Sequence, residues 1–427
     1  MVKALIVAAP NSGSGKTTVT LGLLRALRNA CHNAASFKVG PDYIDPQFHA
    51  AATGHPCLNL DLWAMGATAC RSRLAESSAD IAIIEGVMGL FDGPDGAVGS
   101  TADMAVALGL PVLLVIDCAH QAQSIAALVE GFRNHRRDVT IAGVFLNRVK
   151  SDRHLDVLQR SLAPLNVTIL GVLRHSDSLA LPSRHLGLVQ AQENQGLEQF
   201  LESAASAVTR ETKLDKLLEI ASPISNQVEA IPSSVPPLAQ NIAVARDEAF
   251  AFAYPHILAD WRRQGADISF FSPLADQAPA AQADAIFLPG GYPELHAGKL
   301  AANSVFLSAL RQSRAMIYGE CGGYMVLGNA LVDAQGTAHP MAGLLPVTTS
   351  FKVRKLSLGY RQLHSLNGPW TGSLRGHEFH YSIILNQAPA SPLFTVKDAA
   401  GNDLGSIGQR IGGVMGSYAH VISQAPQ

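Results

Sequence analysis

This 427-residue chain lacks an excess of charge of either sign: 32 Lys and Arg stand against 34 Asp and Glu, a formal net charge of −2. No global field is available to recruit nucleic acid or an anionic membrane, so neither is an expected partner. Cysteine is sparse. The five (Cys31, Cys57, Cys70, Cys118 and Cys321) are odd in number and show no paired metal-ligand spacing. That pattern argues against a disulfide framework and points to a reducing cytoplasm. No window carries an apolar run long enough to cross a membrane. The opening "MVKALIVAAP" has one Lys and a short apolar stretch before a glycine-rich loop, and reads as a first strand rather than a secretory signal. Short internal repeats and low-complexity tracts are absent, which excludes a repeat architecture.

What is present is apolar and alternating. Hydrophobic residues make up 48% and charged residues 15%, the balance of a well-buried α/β protein. The length calls for two or three domains. All-apolar runs at 4–9, 81–86, 111–117, 141–147 and 167–173 predict strands, with amphipathic stretches such as 16–30 and 120–135 between them. Such runs separated by helices indicate a parallel sheet covered on both faces. "SPISNQVEAIPSSVPPLAQ" holds four prolines and little helical period, and reads as a linker at 222–240. The alternation then restarts at 241–247, 266–273, 284–291 and 315–320. The expected domains are therefore 1–221 and 241–427.

"APNSGSGKTT" (9–18) follows the first strand and opens a helix. Backbone N–H groups of Gly13, Ser14 and Gly15 suit phosphate oxygens at a helix N-terminus. Lys16 supplies charge to the β- and γ-phosphates, and the Thr17 hydroxyl suits Mg²⁺; Thr18 belongs to the same ATP loop. Pro10 stands where the usual motif has Gly. "KVGPDYIDPQFH" places Asp42 and Asp45 in a proline-bounded turn, and "IIEGVMGLFDG" places Glu85 at a strand end with Asp92 in the next loop. The carboxyl ends of parallel strands form the ligand crevice, so Asp42 and Glu85 are expected beside the phosphates and Mg²⁺. Asn147, in "FLNRV", is a candidate for a nucleobase edge or a simple turn role.

"MIYGECGGYM" (316–325) holds Cys321 in a glycine-rich turn after an apolar strand. A nucleophile on such a turn is exposed at a helix N-terminus. Gly319, Gly322 and Gly323 permit the backbone. The N–H of Gly322, with Gly290 and Gly291 of "LPGGYPE", suits an oxyanion. The base is a histidine: His420 in "GSYAHVIS", with His364, His377 and His380 as competitors.

Together these stretches resemble the cobyrinic acid a,c-diamide synthase family of corrinoid biosynthesis. The resemblance spans essentially the whole chain and also rests on "LPSRHLGL", "LGYR", "GHEFHYS" and "SYAHV". It implies a dethiobiotin-synthetase-like P-loop domain followed by a triad-type glutamine amidotransferase domain. It selects Cys321 and His420 as the glutaminase pair. It assigns Thr17, Asp42 and Glu85 to Mg-ATP, and brings Asp45 and Asp92 near the acceptor carboxylate. "HPCLNLDLWAM" resembles the branch acting on metal-free hydrogenobyrinic acid, with cobyrinic acid as the alternative. Many triad amidotransferases carry a carboxylate two residues after the histidine, but this chain has Ile422. Either another residue orients His420 or the site is a dyad.

The expected chemistry is ATP-dependent amidation of two acetate side chains. The thiol supplies nitrogen from glutamine, and the phosphate loop activates the acceptor as an acyl phosphate. "SFKVRKLSLGYR" carries Lys352, Arg354, Lys355 and Arg361, read either as a binding patch for the corrinoid polycarboxylate or as a solvated charged segment. The expected partners are that polycarboxylate, glutamine and ATP with Mg²⁺, and a homodimer is the candidate assembly. The rival readings are a cobyric acid synthase-like enzyme and a regulatory P-loop ATPase fused to a glutaminase.

Overall fold

Burial on both faces decides the first half of the fold. The apolar runs become β1 (Lys3–Ala8), β2 (Ala34–Val39), β3 (Leu58–Leu60), β4 (Ile81–Glu85), β5 (Val112–Asp117), β6 (Ile141–Val149) and β7 (Ile169–Arg174). They form one sheet in the order β3-β2-β4-β1-β5-β6-β7, parallel throughout that path. Every residue of β4 is buried: four are apolar, and the one charged residue, Glu85, closes the strand. In this computed structural model the described residues are 2–179, 183–184, 187–188, 190–224 and 234–426. Half of "LPSRHLGL" (181–182 and 185–186), and residues 225–233 of the expected linker, lie outside them.

The chain divides into two units, Met1–Pro232 and Ser233–Gln427. In the first, β1 lies between β4 and β5 and feeds α1 (Lys16–Asn29). Helix α1 packs closely on the helix Leu197–Arg210: a Cβ on Gly22 would lie 2.6 Å from Val208 Cγ2. Buried Arg25 reinforces that contact with bonds of 2.8 and 2.7 Å to Glu198 and Glu202. The next helix, α2 (Asp45–Thr53), starts from the turn that holds Asp42.

The second unit has its own sheet. Its strands run Asp267–Phe271, Asn241–Ala245, Ala285–Leu288, Met316–Glu320, Val414–Ser417 and Gln409–Ile411 in spatial order, and only the last pair is antiparallel. Two smaller sheets accompany it. One contains Ser357–Ser365, Ser373–His380 and His420–Gln424, all antiparallel. Their half-exposed faces leave no all-apolar run to mark them in the sequence.

The short helix Gly322–Leu327 lies almost against the neighbouring strand, since a Cβ on Gly323 would sit 1.9 Å from Leu288 O. Backbone cannot yield there as a side chain would. Gly323→Ala is therefore expected to destabilise the second unit by about 3 kcal/mol. Denaturant unfolding followed by the near-ultraviolet signal of that unit checks this, and an unchanged midpoint would contradict the close packing.

Candidate functional sites at two strand ends

Both candidate sites begin where a parallel strand ends. In the first unit, Gly13 and Gly15 take φ of +81° and +79°, a region that suits glycine. Space restricts Gly15 further, because a Cβ there would lie 2.1 Å from Asn147 Nδ2. Asn147 Nδ2 donates to Ser14 O at 2.8 Å, and its Oδ1 accepts from Arg148 N at 2.9 Å. The amide of Asn147 thus braces the loop, the turn role of the two considered, and the residue also lines the cavity beside the loop. That cavity has a volume of about 480 Å³ and is lined among others by Gly15, Thr18, His120, Asn147, Arg148 and Arg174.

The acids converge on the same loop. Thr17 Oγ1 donates to Glu85 Oε1 at 2.7 Å and lies 3.4 Å from Asp45 Oδ2. Between the carboxylates sits an ammonium absent from the expected set. Lys38 Nζ lies 2.6 Å from Asp45, 2.8 Å from Glu85 and 3.7 Å from Asp42. Asp42 spends Oδ1 on the backbone N–H groups of Ile44 and Asp45, at 2.8 and 3.1 Å. Asp45, expected near the acceptor, is thus the closer member of the cation cluster. Buried His49 places Nε2 2.7 Å from Glu85 Oε2, and Cys57 Sγ lies 3.5 Å from its Nδ1. Lys16 Nζ donates to Met88 O at 3.0 Å. Asp92 accepts from Gly89 N at 2.9 Å and orders the turn after β4.

Burial works against every charge in this cluster. For Glu85 it is outweighed by Lys38 and His49, which hold the carboxyl well below the usual range. Burial would also lower Lys38, but Asp45 and Glu85 carry it well above its ordinary value. Asp42 goes the other way: burial, then Asp45, push it up to about 6. Lys16 is lowered, by burial first and then by Lys38. Among the described residues no group of three or more His, Cys, Asp and Glu is arranged to hold a metal. Yet the donors around Lys38 are all oxygen, from a hydroxyl and carboxylates that already hold a cation. That chemistry fits a hard ion such as Mg²⁺.

In the second unit, the strand Met316–Glu320 ends at Cys321, whose backbone takes φ +47° and ψ −104° before the helix Gly322–Leu327. A non-glycine residue in such a conformation is strained and held by its surroundings. Its N–H donates to Ser417 O at 2.8 Å. Gly290 leaves room for the imidazole of His420. A Cβ at Gly290 would lie 2.4 Å from Cε1, 3.1 Å from Nε2 and 3.3 Å from Cys321 Cβ. Gly291 N lies 3.1 Å from the position a Gly322 Cβ would take, so the expected oxyanion glycines are together.

Of the four histidines considered, His420 is the one whose ring packs against Gly290 beside Cys321. His377 pairs with His420 across adjacent strands, His380 stacks on Tyr418 with centroids 3.8 Å apart, and His364 is exposed. Burial pushes the Cys321 thiol far up, with Glu294 adding to it and the Gly322 N–H opposing. Burial, then His377 and His380, lower His420 to about 3. The carboxyl of Glu320 is raised to about 8 by burial. The basic segment divides: Lys352 and Arg354 are exposed, whereas Arg361 is largely buried and bonded to Glu378 Oε2 at 2.5 Å.

Three residues were not singled out in the sequence. Lys38 and His49 lie inside the quoted motif "KVGPDYIDPQFH", and a Lys closing an apolar strand is the signal for the first. Glu320 adjoins Cys321, and nothing in the linear order distinguishes it from a strand-end residue.

Comparison with known proteins gives the class first. Residues 5–189 match the CobQ/CobB/MinD/ParA nucleotide binding domain, and residues 241–427 match the CobB/CobQ-like glutamine amidotransferase domain. Full-length relatives then narrow it. A hydrogenobyrinate a,c-diamide synthase of Brucella abortus is 56% identical over 99% of this chain and 98% of its own. Those of Rhizobium meliloti and Rhodobacter capsulatus are 51% and 50% identical, each over 99% of both chains. The chain belongs to the hydrogenobyrinate a,c-diamide synthase family and is an amidating ligase. No helix among the described residues is long and apolar enough to cross a membrane.

The ammonium of Lys38 is what makes Glu85 and Asp45 tolerable in a buried cluster. Lys38→Met keeps most of the stem but leaves a completely buried carboxylate without one of its two close cationic partners. A loss of about 3–5 kcal/mol in the stability of the first unit is expected. Denaturant titration measures it, and a change under about 1 kcal/mol would show that His49 alone balances the charge.

Proposed function

We propose that this enzyme amidates the a- and c-acetate carboxylates of hydrogenobyrinic acid, using glutamine as nitrogen donor and ATP to activate each carboxylate. The observation that carries the reading is Cys321 on a strained strand-to-helix turn, with His420 against it, in a chain that also bears the Lys16–Thr17 loop. The printed names of the full-length relatives support the substrate.

A carboxylate resists ammonia because it is anionic and its leaving group is oxide. Transfer of the γ-phosphoryl group of ATP to one carboxylate oxygen gives an acyl phosphate and ADP. Lys16 stabilises the charge on the transferring group. Mg²⁺ entering with ATP would be held by Thr17, Asp42 and Glu85, with Asp45 beside them, and supplies charge neutralisation at the phosphates. Asp92, Lys352, Arg354 and Arg361 remain the acceptor-side residues of this reading, Arg361 through its pair with Glu378.

Nitrogen comes from the second unit. The Cys321 thiol gives its proton to His420 Nε2, and the sulfur bonds to the amide carbon of glutamine. The C–N bond breaks, and the leaving nitrogen takes that proton and departs as ammonia. Water then cleaves the thioester to glutamate. The N–H groups of Gly322 and Gly291 stabilise the oxyanion. Ammonia attacks the acyl phosphate, inorganic phosphate leaves, and the amide remains. The cycle runs once for each acetate.

The test offers the enzyme hydrogenobyrinic and cobyrinic acids in competition, with Mg-ATP and glutamine, and weighs the products. Two added amide nitrogens on hydrogenobyrinic acid are expected; products amidated at other side chains would contradict the reading. Cys321→Ser is expected to lose amidation from glutamine and keep it from concentrated ammonium at raised pH. Lys16→Ala is expected to lose both while Cys321 remains alkylatable by a glutamine analogue. Loss of both activities in folded Cys321→Ser, or normal amidation by Lys16→Ala, would overturn this division of labour.

A further inference from the structure

A base needs a fixed tautomer, and the position two residues after His420 does not supply a partner. Ile422 is buried and apolar, and its backbone oxygen accepts from His256 Nε2 at 2.9 Å. The neighbouring acid Glu378 is committed elsewhere, to Arg361 at 2.5 Å and to His380 at 3.7 Å. The residue that does face the ring comes from the nucleophile's own strand.

We infer that Glu320, immediately before Cys321, positions His420 for the glutaminase step by accepting its Nδ1 proton. The inference rests on the roles proposed above for Cys321 and His420. Glu320 Oε2 lies 3.8 Å from His420 Nδ1, and both side chains are buried, at 4% and 0% exposure. The carboxyl is not free to turn away. Its Oε1 accepts from the Tyr318 hydroxyl and from the N–H of Val421, each at 3.0 Å. Val421 directly follows His420, so one backbone step ties the acid to the strand that carries the base. Two donors on one oxygen leave the other aimed at the imidazole. The far edge of the ring, Cε1 and Nε2, meets Gly290 beside Cys321. The ring is thus held between an acid at Nδ1 and the thiol side at Nε2.

The consequence for proton movement is definite. With its proton on Nδ1, the neutral imidazole presents a lone pair at Nε2, the form able to take the thiol proton. Glu320 gains no proton in that step; it stabilises the imidazolium that forms, as the buried acid of a serine-protease triad does. The 3.8 Å gap exceeds a hydrogen bond, and such contacts tighten when substrate binds. Burial alone raises the Glu320 carboxyl to about 8, with the Val421 N–H and Tyr318 hydroxyl opposing. That leaves the resting carboxyl on the neutral side, and a third donor arriving from Nδ1 as the gap closes favours the ionised form that accepts the ring proton.

Glu320→Gln tests this at constant size. Its carbonyl oxygen keeps the bonds from Tyr318 and Val421, so its NH₂ group faces Nδ1 and the ring proton moves to Nε2. Glutamine-driven kcat is expected to fall roughly 10²- to 10⁴-fold. The KM for glutamine should stay within about twofold, because the lost interaction belongs to the transition state. Amidation from ammonium should persist, which also reports correct folding. Ring ¹⁵N shifts should place the His420 proton on Nδ1 in the unmodified enzyme and on Nε2 in the variant. Glu320→Asp, which keeps an acid, should retain more glutamine-driven activity than Glu320→Gln. An unchanged ring proton, or Glu320→Asp falling below Glu320→Gln, would overturn the assignment. Loss in Cys321→Ser with normal glutamine-driven kcat in Glu320→Gln overturns this inference alone. Normal activity in both overturns the nucleophile assignment and this inference with it.

Discussion

A parallel sheet makes the chain leave every strand at the same edge, and that edge constrains both candidate sites. Each is a strand followed at once by a helix, with too little chain between for a relaxed turn. In the first unit the strain is carried by Gly13 and Gly15 at positive φ. In the second it falls on Cys321 itself, at φ +47°. The neighbouring strands then bring partners to the same edge: β2 delivers Lys38 and β4 delivers Glu85, while Val414–Ser417 leads into the turn before His420. Backbone forced close to backbone explains glycines that no ligand requires, such as Gly323 against Leu288.

The two sites treat buried charge in opposite ways. Around Glu85 the charges remain and are balanced, because a Lys and a His stand within hydrogen-bond distance of the carboxylate. Such a cluster is ready for an anionic, cation-accompanied ligand, since its own ions are already desolvated and fixed. Around Cys321 there is no comparable compensation. Burial favours the neutral forms of thiol, imidazole and Glu320 acid alike. The contrast fits the proposed division of labour, in which a phosphoryl-transfer site keeps standing charge and a glutaminase site needs charge only during its reaction.

Much of this was legible in the sequence, for a physical reason. Strands buried on both faces are all-apolar, so β1, β4, β5 and β6 announce themselves, and a phosphate loop or a thiol turn is local in sequence. The parallel-sheet class and family followed from those stretches. The antiparallel strands that carry His377, Glu378 and His420 alternate in exposure and leave a weaker trace. Lys38 was hidden by its strand: a buried Lys is intelligible only with Glu85, 47 residues away, in view. Asn147, a polar strand end beside a nucleotide loop, could be read two ways in the sequence, and the turn role is the one whose bonds, to Ser14 and from Arg148, are seen.

The neutrality of the resting thiol site bears on how two chemistries share one chain without waste. A thiolate–imidazolium pair formed in this burial would lack water to stabilise it, and burial favours the protonated thiol of free Cys321. In the reaction proposed above, glutamine changes the balance by bringing a carbonyl whose developing oxyanion is met by the Gly322 and Gly291 N–H groups. Charge separation then becomes favourable only along that reaction, with Glu320, in the role inferred for it, stabilising the imidazolium at the opposite edge of the ring. Placing the acid next to the nucleophile in the chain, rather than two residues after the base, couples these groups rigidly. A movement of the turn that shifts Cys321 also shifts Glu320, and with it the tautomer of His420. On that inference the geometry of one strand end controls both the proposed nucleophile and its base.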